Sequence, residues 1–237
     1  MKYIDSWSEK ERHRHYHTIS NPDAPFKQCV AQFGPPRSGT TVVHQILCSL
    51  FKETTKTHSH YNQLKQVPDF WVCTIRDPRD VIASYWRVNR NVTTENYEDT
   101  KMSNMDIDEF YLKHLRWFHL VSDYHKLANA IFLQYEKYVN NFDYIFDKLE
   151  NGAHETINIS INQDLRKALK HNHSIDRNKQ FASKHQYFDQ HDAADVSGLH
   201  GNHIFSGAHG SWRLLVENEK YMTDKTNSFL KAWNYDE

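Results

Sequence analysis

The sequence predicts an α/β fold, a single domain with a mostly parallel central sheet flanked by helices and a P-loop-like strand–loop–helix turn near its start. Three observations predict it. Short apolar runs alternate along the chain with segments of helical spacing. FGPPRSGTT, residues 33–41, joins one such run to one such helix and is rich in Gly, Ser and Thr, the setting of a phosphate-binding turn. The length of 237 residues suits one α/β domain with embellishments, and no repeat or linker divides residues 1–237 in two.

Residues 1–26 read as a polar lead-in closed by Pro22 and Pro25. CVAQF, 29–33, is a short buried strand. From Ser38 to about Lys52, Val42, Val43, Ile46, Leu47 and Leu50 recur at helical spacing. KETTKTH, 52–58, reads as a second strand and FWVCTI, 70–75, as a third. Pro78 suits the first turn of a new helix, capped by Asp77 and running to about Asn89. After a polar loop, 90–105, Asp106 is expected to cap a long helix striped by Ile107, Phe110, Phe118 and Val121. AIFLQY, 130–135, is a fourth strand. Helices are predicted from Tyr138 to Leu149, from Asn162 to Lys170 and from Asn218 to Trp233. Residues 171–212 show no period, and a loop that long tends to carry function.

Composition narrows the function classes. With 29 Lys and Arg against 30 Asp and Glu the chain has no global basic field, so any anion site is local and neither nucleic acid nor an anionic membrane is expected as a partner. Mean hydropathy is −0.82, yet 13 Phe, 13 Tyr and 6 Trp supply large apolar bodies for a core. The N-terminal stretch MKYIDSWSEKERHRHYHT lacks an apolar segment, and no run approaches a membrane span, so a cytoplasmic protein is expected. Cys29, Cys48 and Cys73 form no C-x-x-C pair and read as reduced and buried. The clusters HRHYH (13–17) and HNH (171–173) lack metal-ligand spacing with Cys partners, so no metal is expected. The three N-x-[ST] sequons, at Asn91, Asn158 and Asn172, read as chance in an Asn-rich chain.

The turn departs from the loop that holds nucleoside triphosphates, G-x-x-x-x-G-K-[ST]. Gly34 and Gly39 have the right separation, but Thr40 stands in the lysine position and the cation is Arg37, inside the loop. A second anion site is written in TIRDPRDVIASYWR, 74–87. Arg76 ends a strand and Ser84 follows on the next helix, offering a planar donor fork and a neutral donor. Ligands of α/β sheets bind beyond the carboxyl ends of parallel strands. Two anion sites at neighbouring strand ends suggest a ligand with two separate phosphates.

These stretches resemble the sulfotransferases that use 3′-phosphoadenosine 5′-phosphosulfate (PAPS), closest in motif to cytosolic-type members. PRSGTT, 36–41, is similar to their 5′-phosphosulfate loop, P-[KR]-S-G-T-T. Arg76 and Ser84 lie in a stretch similar to R-[ND]-x-[KR]-D-x-x-x-S-Y, the 3′-phosphate pair. Lys56-Thr57-His58 resembles the K-T-H whose His is the catalytic base. FLQYE, 132–136, is similar to a strand-end Y-E that places Tyr135 near adenine. GAHGSWR, 207–213, is similar to the cofactor-binding segment G-x-x-G-D-W-K. The five matches come in family order over roughly residues 29–213.

The resemblance implies catalytic roles for His58, Arg37 and Lys56. It implies PAPS binding by Arg37, Ser38, Gly39, Thr40, Thr41, Arg76, Ser84, Tyr135, Gly207, Gly210 and Trp212, with adenosine 3′,5′-bisphosphate (PAP) as product and without a metal. Lys56 and His58 fall on one side of their strand by the period of two. Departures are visible as well. Val42 follows S-G-T-T where the family often has Trp, Phe205-Ser206 replace an Arg-Lys pair, and Ser211 replaces the Asp of G-D-W. His203 and Arg213 are the candidate replacements for the Arg-Lys pair. The C-terminal K-x-x-x-T-V-x-x-x-E dimer motif has no match, so the oligomeric state is open. The acceptor, a small molecule, carbohydrate or peptide bearing a hydroxyl or amine, is expected among loops 59–68, 90–105 and 171–205. The alternatives are a P-loop nucleotide kinase, opposed by the absent lysine, and a catalytically silent nucleotide-binding protein, opposed by His58.

Overall fold

FWVCTI forms the strand β4 (Phe70–Ile75), and each of its six residues is buried. A strand apolar on both faces belongs inside a sheet covered on both sides. In the computed structural model, which describes residues 16–64, 66–93, 96–152, 158–183 and 209–235, it has that place. With β1 (Tyr16–Ser20), β2 (Phe26–Phe33), β3 (Phe51–Thr57) and β5 (Ala130–Gln134), it makes a sheet of order β1-β3-β2-β4-β5. The pairs β3–β2, β2–β4 and β4–β5 are parallel, and only β1 runs antiparallel, against β3.

The helices are α1 (Thr40–Leu50), α2 (Pro78–Asn89), α3 (Asn104–Tyr124), α4 (Tyr135–Tyr138), α5 (Asp143–Gly152), α6 (Gln163–Asn172), α7 (Ile175–Ala182) and α8 (Glu219–Ala232). Strand alternation divides the core in two. Ala31, Phe33, Trp71, Cys73 and Ile75 pack with α2, α3 and α8 through Trp86, Phe118, Phe229 and Trp233. Val30, Phe70, Val72, Ile131 and Leu133 face the other way, onto α1 and α5 through Ile46, Leu47, Phe146 and Leu149.

Several boundaries differ from the sequence reading. Part of the lead-in, Tyr16–Ser20, is the edge strand β1; YHTIS carries too little apolar signal to be read as a strand, since an edge needs only backbone pairing. Asp106 is not the cap of α3. Ser103 caps it, its hydroxyl accepting from the Asp106 amide while the Asp106 carboxylate accepts from the Ser103 amide, a capping box. The single helix expected over 138–149 is split into α4 and α5, and α7 lies in a stretch expected to have no period. Asp77 and Asn162 cap their helices as expected. Cys73 is buried and free, while Cys29 and Cys48 are free but only partly buried. Among the described residues no helix is long and apolar enough to cross a membrane.

Candidate active site

β2 lies between β3 and β4, so the chain leaves β2 at the point where connections diverge to either side of the sheet. The loop 34–39 sits there, and its geometry depends on two glycines. A β-carbon on Gly34 would lie 2.1 Å from Thr74 Oγ1 and 2.8 Å from Ser38 Oγ. Gly39 has φ of 78° and caps α1. Tyr138 closes the turn from behind, its hydroxyl donating to the Ser38 carbonyl at 3.0 Å. The Ser38 side chain is fully buried. It donates to the Pro35 carbonyl at 2.7 Å and lies 3.0 Å from Thr74 Oγ1, so this hydroxyl shapes the loop from within.

Arg37 adopts φ of 72°, a left-handed conformation that costs a side-chain-bearing residue energy and persists only when held. It is held at both ends. Arg76 Nη1 donates to its carbonyl at 3.2 Å, and its own Nε donates to Ser84 Oγ at 3.1 Å. Burial, with the charges of Arg87 and Arg76, lowers the Arg37 pKa to about 9.

The end of β3 contributes Lys56 and His58, with the buried Thr57 between them. Lys56 Nζ donates to Thr41 Oγ1 in the first turn of α1 at 3.2 Å. Burial, joined by the charge of Arg37, lowers its pKa to about 8. His58 Nδ1 lies 2.6 Å from the Gly34 carbonyl. A carbonyl only accepts, so Nδ1 carries the proton and the basic lone pair is on Nε2. The first residue of the loop thus fixes the tautomer of the histidine on the neighbouring strand. Trp117 Nε1 adds a bond of 3.0 Å to the His58 carbonyl.

On the other side, Arg76 directly follows β4 and Ser84 lies on α2. Burial opposes the Arg76 charge most strongly, but Asp80, whose Oδ1 is 3.8 Å from Nη2, together with Tyr135, Glu136 and Tyr138 raises the pKa above its ordinary value. The guanidinium also lies over the Tyr135 ring at 4.3 Å. The structure therefore brings Arg37, Gly39, Thr40, Thr41, Lys56, His58, Arg76, Ser84 and Tyr135 together at adjacent strand ends.

A family model described as a sulfotransferase domain matches residues 56–236. The chain belongs to the sulfotransferase family. The match begins at Lys56, so the loop 34–39 supports it independently. Among solved structures the fold is similar to that of mouse sulfotransferase SULT7A1 complexed with PAP, with a TM-score of 0.58 and 15% identity over 89% of this chain and 87% of that chain. No curated protein matches the sequence.

In this sulfotransferase the segment at 209–213 is positioned by a residue that the sequence reading passed over. Asp80, nearly fully buried, accepts from the Gly210 amide at 2.8 Å, the Trp212 amide at 3.0 Å and the Ser211 hydroxyl at 3.1 Å. Gly210 meets this geometry with φ of 77°. Trp212 is placed in the core, with only 1% of its surface exposed and the Arg79 and Arg213 guanidinium groups near its ring at 4.8 and 4.7 Å. The indole, expected as a cofactor contact, is packed in the core and anchors the segment. Gly207 and His203 lie outside the described residues. Asp77, Asp80 and His209 are close enough to hold a metal ion, but both carboxylates already accept from Arg79 and from the 210–212 segment. The other residue missed from sequence is Arg87, fully buried and one helical turn beyond Ser84.

Proposed function

We propose that this sulfotransferase moves a sulfuryl group from PAPS to an acceptor hydroxyl or amine of a small molecule, carbohydrate or peptide, with His58 as general base. The observation that carries the reading is the placement of cations on both sides of one glycine-shaped loop, Lys56 on the β3 side and Arg76 on the β4 side. A ligand with separate 5′- and 3′-phosphates fits that layout better than one with contiguous phosphates. The crowding at Gly34 and Gly39 supports a loop whose backbone can approach a phosphate closely. The family sets the kinase alternative aside.

PAPS, when bound, supplies an activated sulfuryl group. Amides at the start of α1, with the Thr40 and Thr41 hydroxyls, would hold the 5′-phosphate against the positive end of the helix. Ser38 would act through its amide and by closing the turn. Arg37 would meet charge growing on the leaving phosphate oxygen, and Lys56, already bound to Thr41, would steady the sulfuryl oxygens. With two cations there, the reading calls on no metal. His58 Nε2 would take the acceptor proton while the Gly34 carbonyl holds Nδ1–H and stabilises the imidazolium that forms. Arg76 and Ser84 would hold the 3′-phosphate and Tyr135 would border the adenine.

The test combines calorimetry with turnover. PAP should bind at least about tenfold more tightly than AMP, one charge-assisted contact being worth roughly that much. In a screen with labelled PAPS, His58→Ala should lower turnover by about 10²–10⁴ with PAP affinity within a few-fold of wild type. Equal affinity for the two nucleotides would remove the two-phosphate reading. Tight PAP binding without transfer to any acceptor would favour a silent nucleotide-binding protein.

A further inference from the structure

The resemblance puts Phe205-Ser206 where many cytosolic-type members have an Arg-Lys pair for the 3′-phosphate. A dianionic phosphate held by Arg76 and Ser84 alone would have one full positive charge beside it. Yet Ser84 is bonded to a second arginine, and a third follows it on the same helix. Arg37 Nε donates to its hydroxyl at 3.1 Å, and Arg76 Nη1 reaches the Arg37 carbonyl at 3.2 Å. Arg87 follows Ser84 by three positions on α2, so it shares the helix face on which Ser84 lies. Its side chain is fully buried, and one side-chain and one backbone bond tie the residue to Val92. Nη1 donates to the Val92 carbonyl at 3.1 Å, and the Val92 amide donates to the Arg87 carbonyl at 2.9 Å.

We infer that Arg87 is a positioning residue of the 3′-phosphate site, a buried cation on α2 that takes over the charge of the missing Arg-Lys pair and gives the protein its preference for a 3′-phosphorylated nucleotide. The inference rests on the PAPS reading above. The electrostatics agree with the geometry. Burial and then the charge of Arg76 lower the Arg87 pKa to about 10, and Arg87 in turn is the largest charge acting to lower that of Arg37. Arg76 thus disfavours the charges of Arg87 and Arg37, and Arg87 that of Arg37, a repulsion that an anion placed among them relieves. A guanidinium serving only as a cap for the end of α2 would bond Val92 equally well, but it would not affect which nucleotide binds.

The experiment measures dissociation constants of PAP and AMP by calorimetry for wild type, Arg87→Gln and Arg87→Lys. Gln keeps an N–H donor for the Val92 carbonyl and removes the charge. The expected result is a loss of PAP affinity of about tenfold or more in R87Q, with AMP affinity changed less than about threefold. R87K keeps the charge but not the planar fork, so its preference for PAP should fall between the other two. If R87Q does not fold, R87K carries the test, and a PAP-to-AMP ratio equal to wild type in it overturns the inference. Equal loss of both nucleotides in R87Q, or no loss, also overturns it and leaves Arg87 a structural cap. If wild type itself shows no preference for PAP over AMP, the PAPS reading fails first, so the two failures are distinct.

Discussion

Gly39→Ala is the most direct probe of the loop. Gly39 has φ of 78°, a conformation that costs an alanine about 1–2 kcal/mol. The new β-carbon would lie 2.2 Å from Tyr138 Oη and 2.6 Å from Tyr135 Cδ2. Tyr138 is fully buried and cannot swing into solvent, so its hydroxyl must leave the Ser38 carbonyl, costing roughly 1 kcal/mol more. The total is about 2–3 kcal/mol, which in a chain of this size lowers Tm by roughly 4–12 °C. The displaced loop should also bind PAP at least about tenfold more weakly, since its amides would no longer converge. Calorimetric unfolding and PAP titration measure the two effects. Tyr138→Phe removes the clashing oxygen, so Gly39→Ala should cost less Tm in the Y138F background than alone, a coupling expected only of residues in contact. A Tm within about 2 °C of wild type together with unchanged PAP affinity would show that the loop has room for a β-carbon, and the cradle argument would fail.

Lys56 sets a pH dependence. Burial and Arg37 lower its pKa to about 8, so its charge is present below that value and lost above it, and kcat/KM for PAPS should fall as pH rises through about 8. A profile flat to high pH in wild type would exclude Lys56 as the working cation. Arg37→Ala should lower kcat by about 10²–10³ while PAP affinity changes less than tenfold, because the charge it meets is larger in the transition state than in the bound product. Near-normal turnover in R37A would move that role to Lys56.

The parts of the site legible in the sequence are those where one residue type has one physical use. Asp77-Pro78 reads as a cap and first helical turn, and Gly34 and Gly39 read as a turn needing close approach; the structure places each accordingly. β4 was legible because an unbroken run of β-branched and aromatic residues has few other homes. β1 was not, because an edge strand is specified by the partner it pairs with, and its register with β3 is a property of two segments. Asp80 and Arg87 were missed for a related reason. In R-D-P-R-D a carboxylate reads as the ion-pair partner of a nearby arginine, and Arg76 is indeed 3.8 Å away. Its closer bonds go to a segment about 130 positions distant, which no local pattern announces. Arg87 looks like one more charge on a polar helix until the fold shows it fully buried, its Nη1 donating to the Val92 carbonyl. Trp212 reads from its motif as a cofactor contact, and its place in the core is a second fact that the motif does not carry. The displaced cation of the loop joins the two kinds of information. The sequence shows that Thr40 stands in the lysine position and that Arg37 is nearby, but not that Arg37 can reach the site. It reaches it because a left-handed backbone at that residue, held by Arg76, directs the guanidinium to Ser84. The lysine-less loop is therefore tied to Arg76, just beyond β4, and to Ser84 of α2, so that the two proposed phosphate sites share one set of bonds.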